Sequence, residues 1–361
     1  MRTLLPAPRY KVTWKTLLLL VIGLVAFLVY IFLFNVDIRD IIAKVQQTNP
    51  YYYTLAAIAS VFDIVFFTLA WHSLLRFLSV KLSVFKSFAF VWAGIFVDTL
   101  IPAESVSGEI TKIYLVNREQ TGAAGKATAS VVAHRLIGMG INIAVLLVGA
   151  GVLLLESQLY GIVLGLILFL ITAISVFFIL VLLLCFREKW TYRIVDSVIR
   201  FAERISRGHW RLKKLRGQVV EIHRAFHDAI KDYAHAPRTL IVASLFTVIA
   251  WVLSMSVLYL TLASIGYPQI SWSAILVTSA IFVAVQYVPT GIPFGVGLPE
   301  IALTTLLVFF GVPWTISATA TILMRLLTLW LRFFIGFGAQ QWIGAKAVIT
   351  KQNIETGPEP Q

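Results

Sequence analysis

Ile101-Pro102-Ala103-Glu104-Ser105-Val106-Ser107-Gly108-Glu109-Ile110 and Ile292-Pro293-Phe294-Gly295-Val296-Gly297-Leu298-Pro299-Glu300-Ile301 are two copies of one pattern: an Ile-Pro pair, six residues, then Glu-Ile. An Arg-Leu pair follows each copy, Arg135-Leu136 at 26 residues after Glu109 and Arg325-Leu326 at 25 after Glu300. The copies interrupt apolar stretches, residues 84–101 and 271–288, and both arginines lie inside long apolar segments. Charge in such segments is rare and is usually kept for a function. A duplicated turn, acid and arginine therefore predicts two repeats that meet at a transport site.

The surrounding sequence is that of a membrane protein. Apolar residues make up 59% of the 361, charged residues 13%, and the mean hydropathy is +0.87. Six segments read as full spans: about 16–34, 51–73, 127–155, 159–186, 238–263 and 313–342. The first follows Arg9, Lys11 and Lys15 as a signal peptide would. Its apolar core is long, however, and ends in Phe34-Asn35-Val36-Asp37 without a small-residue cleavage site, so it reads as a retained helix. The expected fold is an all-α polytopic integral membrane protein, with about six full transmembrane helices and two re-entrant helical hairpins in an inverted repeat. Residues 1–346 form one membrane domain, with repeat 1 at about 84–155 and repeat 2 at about 271–342, and 347–361 form a disordered tail.

The re-entrant reading comes from length. After the first turn only about eleven residues precede Arg118-Glu119, too few to cross at roughly 1.5 Å per residue. The charge distribution fits it. The N-terminus, 74–86, 118–126, 187–236 and the C-terminus then share one side and hold 23 Lys/Arg, against Arg39 and Lys44 alone on the other. The basic side is cytoplasmic, which makes this a multi-pass protein of the cell membrane with both termini inside. Residues 84–101 are also long enough to cross fully, and in that case the inverted relation fails.

The net charge of +13 has the same origin and does not point to nucleic acid. The single cysteine, Cys185, excludes disulfides and thiolate metal centres. Residues 187–236 carry twelve Lys/Arg against six Asp/Glu, with apolar residues at helical spacing (Trp190, Ile194, Val198; Ile222, Phe226, Ile230, Tyr233). They predict a basic amphipathic helical hairpin on the inner leaflet, divided near Gly208.

The glycine-rich turn 291–297 lacks the Gly-Lys-Ser/Thr ending of a nucleotide phosphate loop. Irregular backbone at membrane depth survives only against protein or a wet cavity. Pro102, Gly108, Pro293, Gly295 and Gly297 thus form either the turns of a site, with helix N-termini aimed at an anion, or tight turns made for packing. Glu109 and Glu300 are either site carboxylates or acids that complement a helix dipole. Arg135 and Arg325 suit a phosphate or the two glutamates, and Lys112, one turn from Glu109, is a further phosphate ligand. Asp98 and Glu104 flank the first turn. Asp63, inside the second span, has to be paired or protonated and is a proton-relay candidate. His134 reads as a packed histidine, and His223 and His227 as residues of a solvated helix face. No catalytic motif, metal site or cofactor site is expected, and nothing argues for an enzyme.

At these same residues the chain resembles the flippase-like membrane domain of lysylphosphatidylglycerol synthases, a family that also occurs as free-standing proteins. Its first motif, Pro-x-x-x-x-Gly-Glu-x-x-Arg-x-Tyr, is matched by Pro102, Gly108, Glu109, Lys112 and Tyr114, with altered spacing and Lys in place of Arg. Its second, Pro-Gly-Gly-x-Gly-x-x-Glu, is matched from Pro293 to Glu300 with Phe294 in place of a glycine, and a later Arg-Leu-Leu by Arg325-Leu326-Leu327. The resemblance covers most of residues 15–345. It implies a domain that moves an anionic amphipathic lipid, phospholipid or polyprenyl phosphate, between leaflets. The synthases' soluble aminoacyl transferase domain has no counterpart here, so lysyl transfer is not expected. Two other readings stay open: a relative of DedA-type lipid transporters, and a non-transporting scaffold for a lipid-modifying or glycosyl-transferring enzyme. Membrane lipids with anionic headgroups are the expected partners, with a homo-oligomer or such an enzyme as protein partner.

Overall fold

Two helices of equal length begin the two halves of the molecule in the same way. A computed structural model describes residues 38–101, 106–156, 161–205, 213–288 and 293–355, which hold helices and no strand. After the short α1 (Ile38–Gln46), α2 (Pro50–Phe77) starts with proline at its first position, where the missing N–H costs nothing. Asn49 caps it, accepting from the Tyr51 N–H at 2.9 Å. Then come α3 (Val84–Leu100), capped by Ser83, α4 (Val106–Glu119) and the long α5 (Ala124–Leu155). α6 (Gly161–Phe186), α7 (Glu188–Ile205) and α8 (Lys213–Ala234) separate the halves.

The second half repeats the order. α9 (Pro237–Ser264) again starts on proline and, like α2, has 28 residues. α10 (Trp272–Gln286) is again capped by a serine, Ser271. A 3-10 turn at Pro293–Gly295 leads into α11 (Leu298–Phe309). The last long helix is α12 (Trp314–Arg325), a π-helical segment (Leu326–Leu331) and α13 (Arg332–Glu355). Its apolar part, Trp314–Ala345, has 32 residues, as α5 does. The recurrence therefore extends one helix upstream of residues 84 and 271, to long helix, helical hairpin, long helix.

The halves interlock reciprocally. α3, from the first, packs on α13 from the second: a Cβ at Gly336 would stand 2.6 Å from the Trp92 carbonyl oxygen. α10, from the second, packs on α5 from the first: a Cβ at Gly149 would stand 2.9 Å from Val277. Glycine admits both close approaches. α2 and α9 pair between them, with Ala56 and Ala59 against Val257, Leu258 and Leu262.

Among the described residues five helices are long and apolar enough to cross a membrane: Pro50–Phe77, Ala124–Leu155, Leu164–Phe186, Pro237–Ser264 and Trp314–Ala345. They coincide with five of the six expected spans, and the sixth, 16–34, lies outside the described residues. This is a polytopic, multi-pass membrane protein. Large residues of α6 such as Phe169, Val176 and Phe177 are exposed, as suits a helix facing lipid chains.

Two expectations change. The helix expected over 313–342 holds a π-helical segment and continues to Glu355, past the point where a disordered tail was expected to begin; 356–361 lie outside the described residues. The second helix of the basic hairpin does not merely lie on a leaflet, because α8 packs into the domain. The Tyr233 hydroxyl donates to the Leu74 carbonyl at 2.9 Å, and Ala229 and Ile230 join the core of the first half. His223 and His227 accordingly are buried, not solvated. Their positions explain it, since both share a helical face with Ile230, at i+7 and i+3. Replacing Tyr233 with Phe removes one buried hydrogen bond and leaves the Leu74 carbonyl short of a donor. A loss of about 1–3 kcal/mol is expected in denaturant unfolding of the purified protein.

Candidate functional site

Each hairpin brings buried charge to its tip. In the second, the glycine-rich turn is held open in the left-handed region, with φ of 66° at Phe294, 51° at Gly295 and 109° at Gly297. For Phe294 that conformation is strained, and such strain clusters at functional sites. The Phe294 ring is buried and stacks on Trp330 with centroids 5.6 Å apart, which helps hold the backbone there. Glu300 sits in the first turn of α11, where one carboxylate oxygen accepts from the Gly297 N–H at 2.6 Å. The other is ion-paired with Nε of Arg325. Nη2 of Arg325 donates to the carbonyls of Phe294 at 3.0 Å and Gly295 at 3.1 Å. Glu300 is 1% exposed and Arg325 7%, so the pair is withdrawn from solvent and tied to the turn at three points.

The first hairpin is built differently. Lys112, 5% exposed, pairs with Glu109 at 2.8 Å and lies over the rings of Phe67 (5.3 Å) and Trp71 (5.1 Å) of α2. That is a cation–π cage around a buried ammonium. Asp98, near the end of α3, accepts from the Ser107 hydroxyl at 2.7 Å and from the Gly108 N–H at 2.6 Å, the latter an orphan donor of the first turn of α4. Gly94 and Gly108 let the two helices touch, and Lys86 and Glu119 join them at the open end. Pro102 and Glu104 lie outside the described residues.

Arg135 does not pair with Glu109. Its guanidinium stands 4.9 Å over the ring of Tyr287, at the end of α10. The Glu–Arg pair expected in both halves is thus present in the second and replaced by Glu109–Lys112 in the first. A lysine three residues on reaches the acid within its own helix, and Tyr287 offers Arg135 a π face. Tyr287 also lies within electrostatic reach of Glu109 and Asp98, so Arg135 stays beside the first hairpin's charges. The two tips themselves meet, as Leu100 packs against Phe294 and Val296.

Asp63 is paired. Arg332 donates to its carboxylate at 2.6 Å and to the Ser60 hydroxyl and carbonyl at 3.2 and 3.3 Å. Ser60 donates in turn to the Leu327 carbonyl at 3.3 Å, and the Tyr53 hydroxyl to the Leu323 carbonyl at 3.1 Å. α2 therefore supplies one donor to the π segment, at Leu327, and one to the turn before it, at Leu323; a π segment is a helix type found mostly at functional sites. Arg332 escaped the sequence reading, although the signal was there: an acid inside one span and a second arginine inside another call for each other. Replacing Asp63 with Asn leaves Arg332 uncompensated. A loss approaching the roughly 3–5 kcal/mol of a broken buried pair is expected in unfolding of the purified protein. His134 packs on Phe67, ring to ring at 4.4 Å. Among the described residues no group of three or more His, Cys, Asp or Glu could hold a metal ion.

No solved structure matches the chain. A UPF0104 membrane protein of Pyrococcus horikoshii is 24% identical over 330 residues, covering 89% of this chain and 95% of that one. Another, from Methanothermobacter thermautotrophicus, is 24% identical over 336 residues, with 92% and 96% covered. A third, from Methanocaldococcus jannaschii, is 23% identical over 342 residues, with 91% and 95% covered. A family described as the lysylphosphatidylglycerol synthase TM region matches residues 18–336, nearly the whole membrane domain, and the chain belongs to that family.

Proposed function

We propose that the two hairpin tips form one site for the phosphate of an anionic lipid, phospholipid or polyprenyl phosphate, and that the lipid changes leaflet through it. The observation that carries this reading is the Arg325 guanidinium, buried on Glu300 and two carbonyls of a strained turn where the opposite hairpin arrives. A guanidinium in such a place is suited to exchange a carboxylate for a phosphate, since the two present similar paired oxygens. In the empty state Glu300 neutralises Arg325 and Glu109 neutralises Lys112. When phosphate arrives, both cations turn to it, with Arg135 from the Tyr287 side, while the chains stay in the bilayer. Asp63, on Arg332, is the candidate for a proton carried in the same cycle.

The hairpins read as re-entrant. α3, α4, α10 and α11 have 17, 14, 15 and 12 residues. At roughly 1.5 Å each they extend about 18–25 Å, short of a hydrocarbon core of about 30 Å. Each hairpin returns its chain to the side it came from, so the single span α6 between the halves makes the repeats inverted. The asymmetry of basic residues then puts both termini in the cytoplasm.

Native mass spectrometry of the detergent-purified protein tests the site. Wild type is expected to retain a phosphate-bearing lipid through delipidation and to prefer it to a diacylglycerol. Lys112→Gln is expected to weaken that retention by about tenfold, one charge-assisted contact. Equal retention of charged and uncharged lipids would contradict the reading.

A further inference from the structure

His223 and His227, one turn apart on α8, are 9% and 2% exposed, with ring centroids 4.5 Å apart. Neither Nε2 has a hydrogen-bond partner. Tyr192 of α7 stands edge-on to His223 at 5.8 Å, and Phe226 edge-on to His227 at 5.0 Å. The backbone carbonyl of Cys185, at the end of α6, accepts from the His227 ring. The dyad thus sits where α8 meets the end of α6 and the start of α7. On its other flank α8 touches α5 so closely that a Cβ at Gly125 would stand 2.6 Å from the Ile222 carbonyl oxygen.

A proton on His227 is poorly placed. It would put charge in a buried contact where the Cys185 carbonyl serves one ring nitrogen and Nε2 has no hydrogen-bond partner. The groups facing it are Cys185 on α6, Glu188 and Tyr192 on α7, and Lys231 on α8; Lys126 of α5 is turned to the Leu78 carbonyl, 3.0 Å away. Glu188 and the Cys185 carbonyl would welcome the charge, but Glu188 is exposed and already 3.7 Å from Lys231. Burial, then the neighbouring His223, hold the His227 imidazole below its ordinary value, and the pull of Glu188 is the weaker effect. A histidine depressed in the folded state stabilises its contacts above its unfolded value of about 6.5, and that stability is lost as the pH falls through and below it.

We propose that the His223–His227 dyad is a proton-operated latch, which holds α8 against the end of α6 at neutral pH and releases it in mildly acidic surroundings. The basic α7–α8 hairpin then loosens from the membrane helices. The latch stands on packing alone, whether or not the hairpin tips move lipid.

Cys185 is the only cysteine in the chain and is buried behind the dyad, which makes it the reporter. Its alkylation rate in the detergent-purified protein is divided by the rate for unfolded protein at the same pH, which cancels thiol ionisation. Protection is expected to fall by about tenfold between pH 7.5 and about pH 5.5 in wild type, and to stay level in His223→Phe/His227→Leu. Should that double variant fail to fold, His223→Leu alone relieves the ring–ring contact, and the midpoint is expected to move up. Level protection in wild type, an undiminished fall in the double variant, or an unmoved midpoint in the single one would overturn the latch.

Discussion

Arg325→Ala is expected to cost roughly 3–5 kcal/mol of stability, because it strands Glu300 as an unpaired carboxylate where solvent does not reach. It also takes the donor from the Phe294 and Gly295 carbonyls, whose left-handed backbone has few other supports. Stability alone would not separate a structural pair from a binding one. Arg325→Met with Glu300→Gln removes both charges and keeps an acceptor for the Gly297 N–H, so most of the lost stability is expected to return. Lipid retention is not expected to return with it, because no cation remains at the turn. Arg325→Lys keeps the charge and loses the planar fork that reaches carboxylate and carbonyls together, so it falls between the two. Unfolding midpoints and native mass spectra of the four proteins provide the check. Full lipid retention by the doubly neutral variant would make the pair purely structural.

Gly108→Ala is the second large effect, and its sign is informative. Inside an exposed helix the change would stabilise by about 1 kcal/mol. Here the new Cβ would stand 2.2 Å from an Asp98 carboxylate oxygen and 2.6 Å from the Gly94 carbonyl oxygen. Asp98 could rotate, at the cost of its bonds to Ser107 and the Gly108 N–H; the Gly94 backbone could not follow without parting α3 from α4. A net loss of about 1–3 kcal/mol is expected, as for other overpacked contacts. Gly138→Ala, where a Cβ meets nothing within 4 Å, is the control and should be neutral or slightly stabilising. Chemical unfolding of the two variants beside wild type decides it; equal behaviour would mean that the hairpin is looser than this contact implies.

Much of this was legible in the sequence because the membrane leaves few options for a charge. Glu300 and Arg325, 25 residues apart in apolar surroundings, announced each other, and they are paired. The first half defeated the analogy: Glu109 and Arg135 have the same spacing to within one residue, but Lys112 lies nearer in the same helix and takes the acid. Spacing along a chain does not rank competing partners. The upstream extent of the repeat was hidden because α2 and α9 share length, an initial proline and an apolar character, but no distinctive motif. The π segment was illegible, since Leu326-Leu327-Thr328-Leu329-Trp330-Leu331 reads as ordinary helix. Only the donors that α2 brings there distinguish it, Ser60 on the Leu327 carbonyl and Tyr53 on that of Leu323 just before the segment. The strain at Phe294 was hinted at, because a phenylalanine stands there among glycines, and the structure finds its φ at 66°.

The site proposed at the meeting of the two hairpins carries a phosphate-bearing anionic lipid across the bilayer. Leaflet exchange of fluorescent lipids in proteoliposomes is the test, with wild type beside the doubly neutral Arg325→Met/Glu300→Gln and with labelled anionic and zwitterionic phospholipids in parallel. Wild type is predicted to accelerate exchange of the anionic lipid, and the folded neutral variant to lose at least about tenfold of that rate, the cost of one charge-assisted contact. A wild type that leaves exchange at the rate of protein-free vesicles, or a neutral variant as fast as wild type, would contradict it.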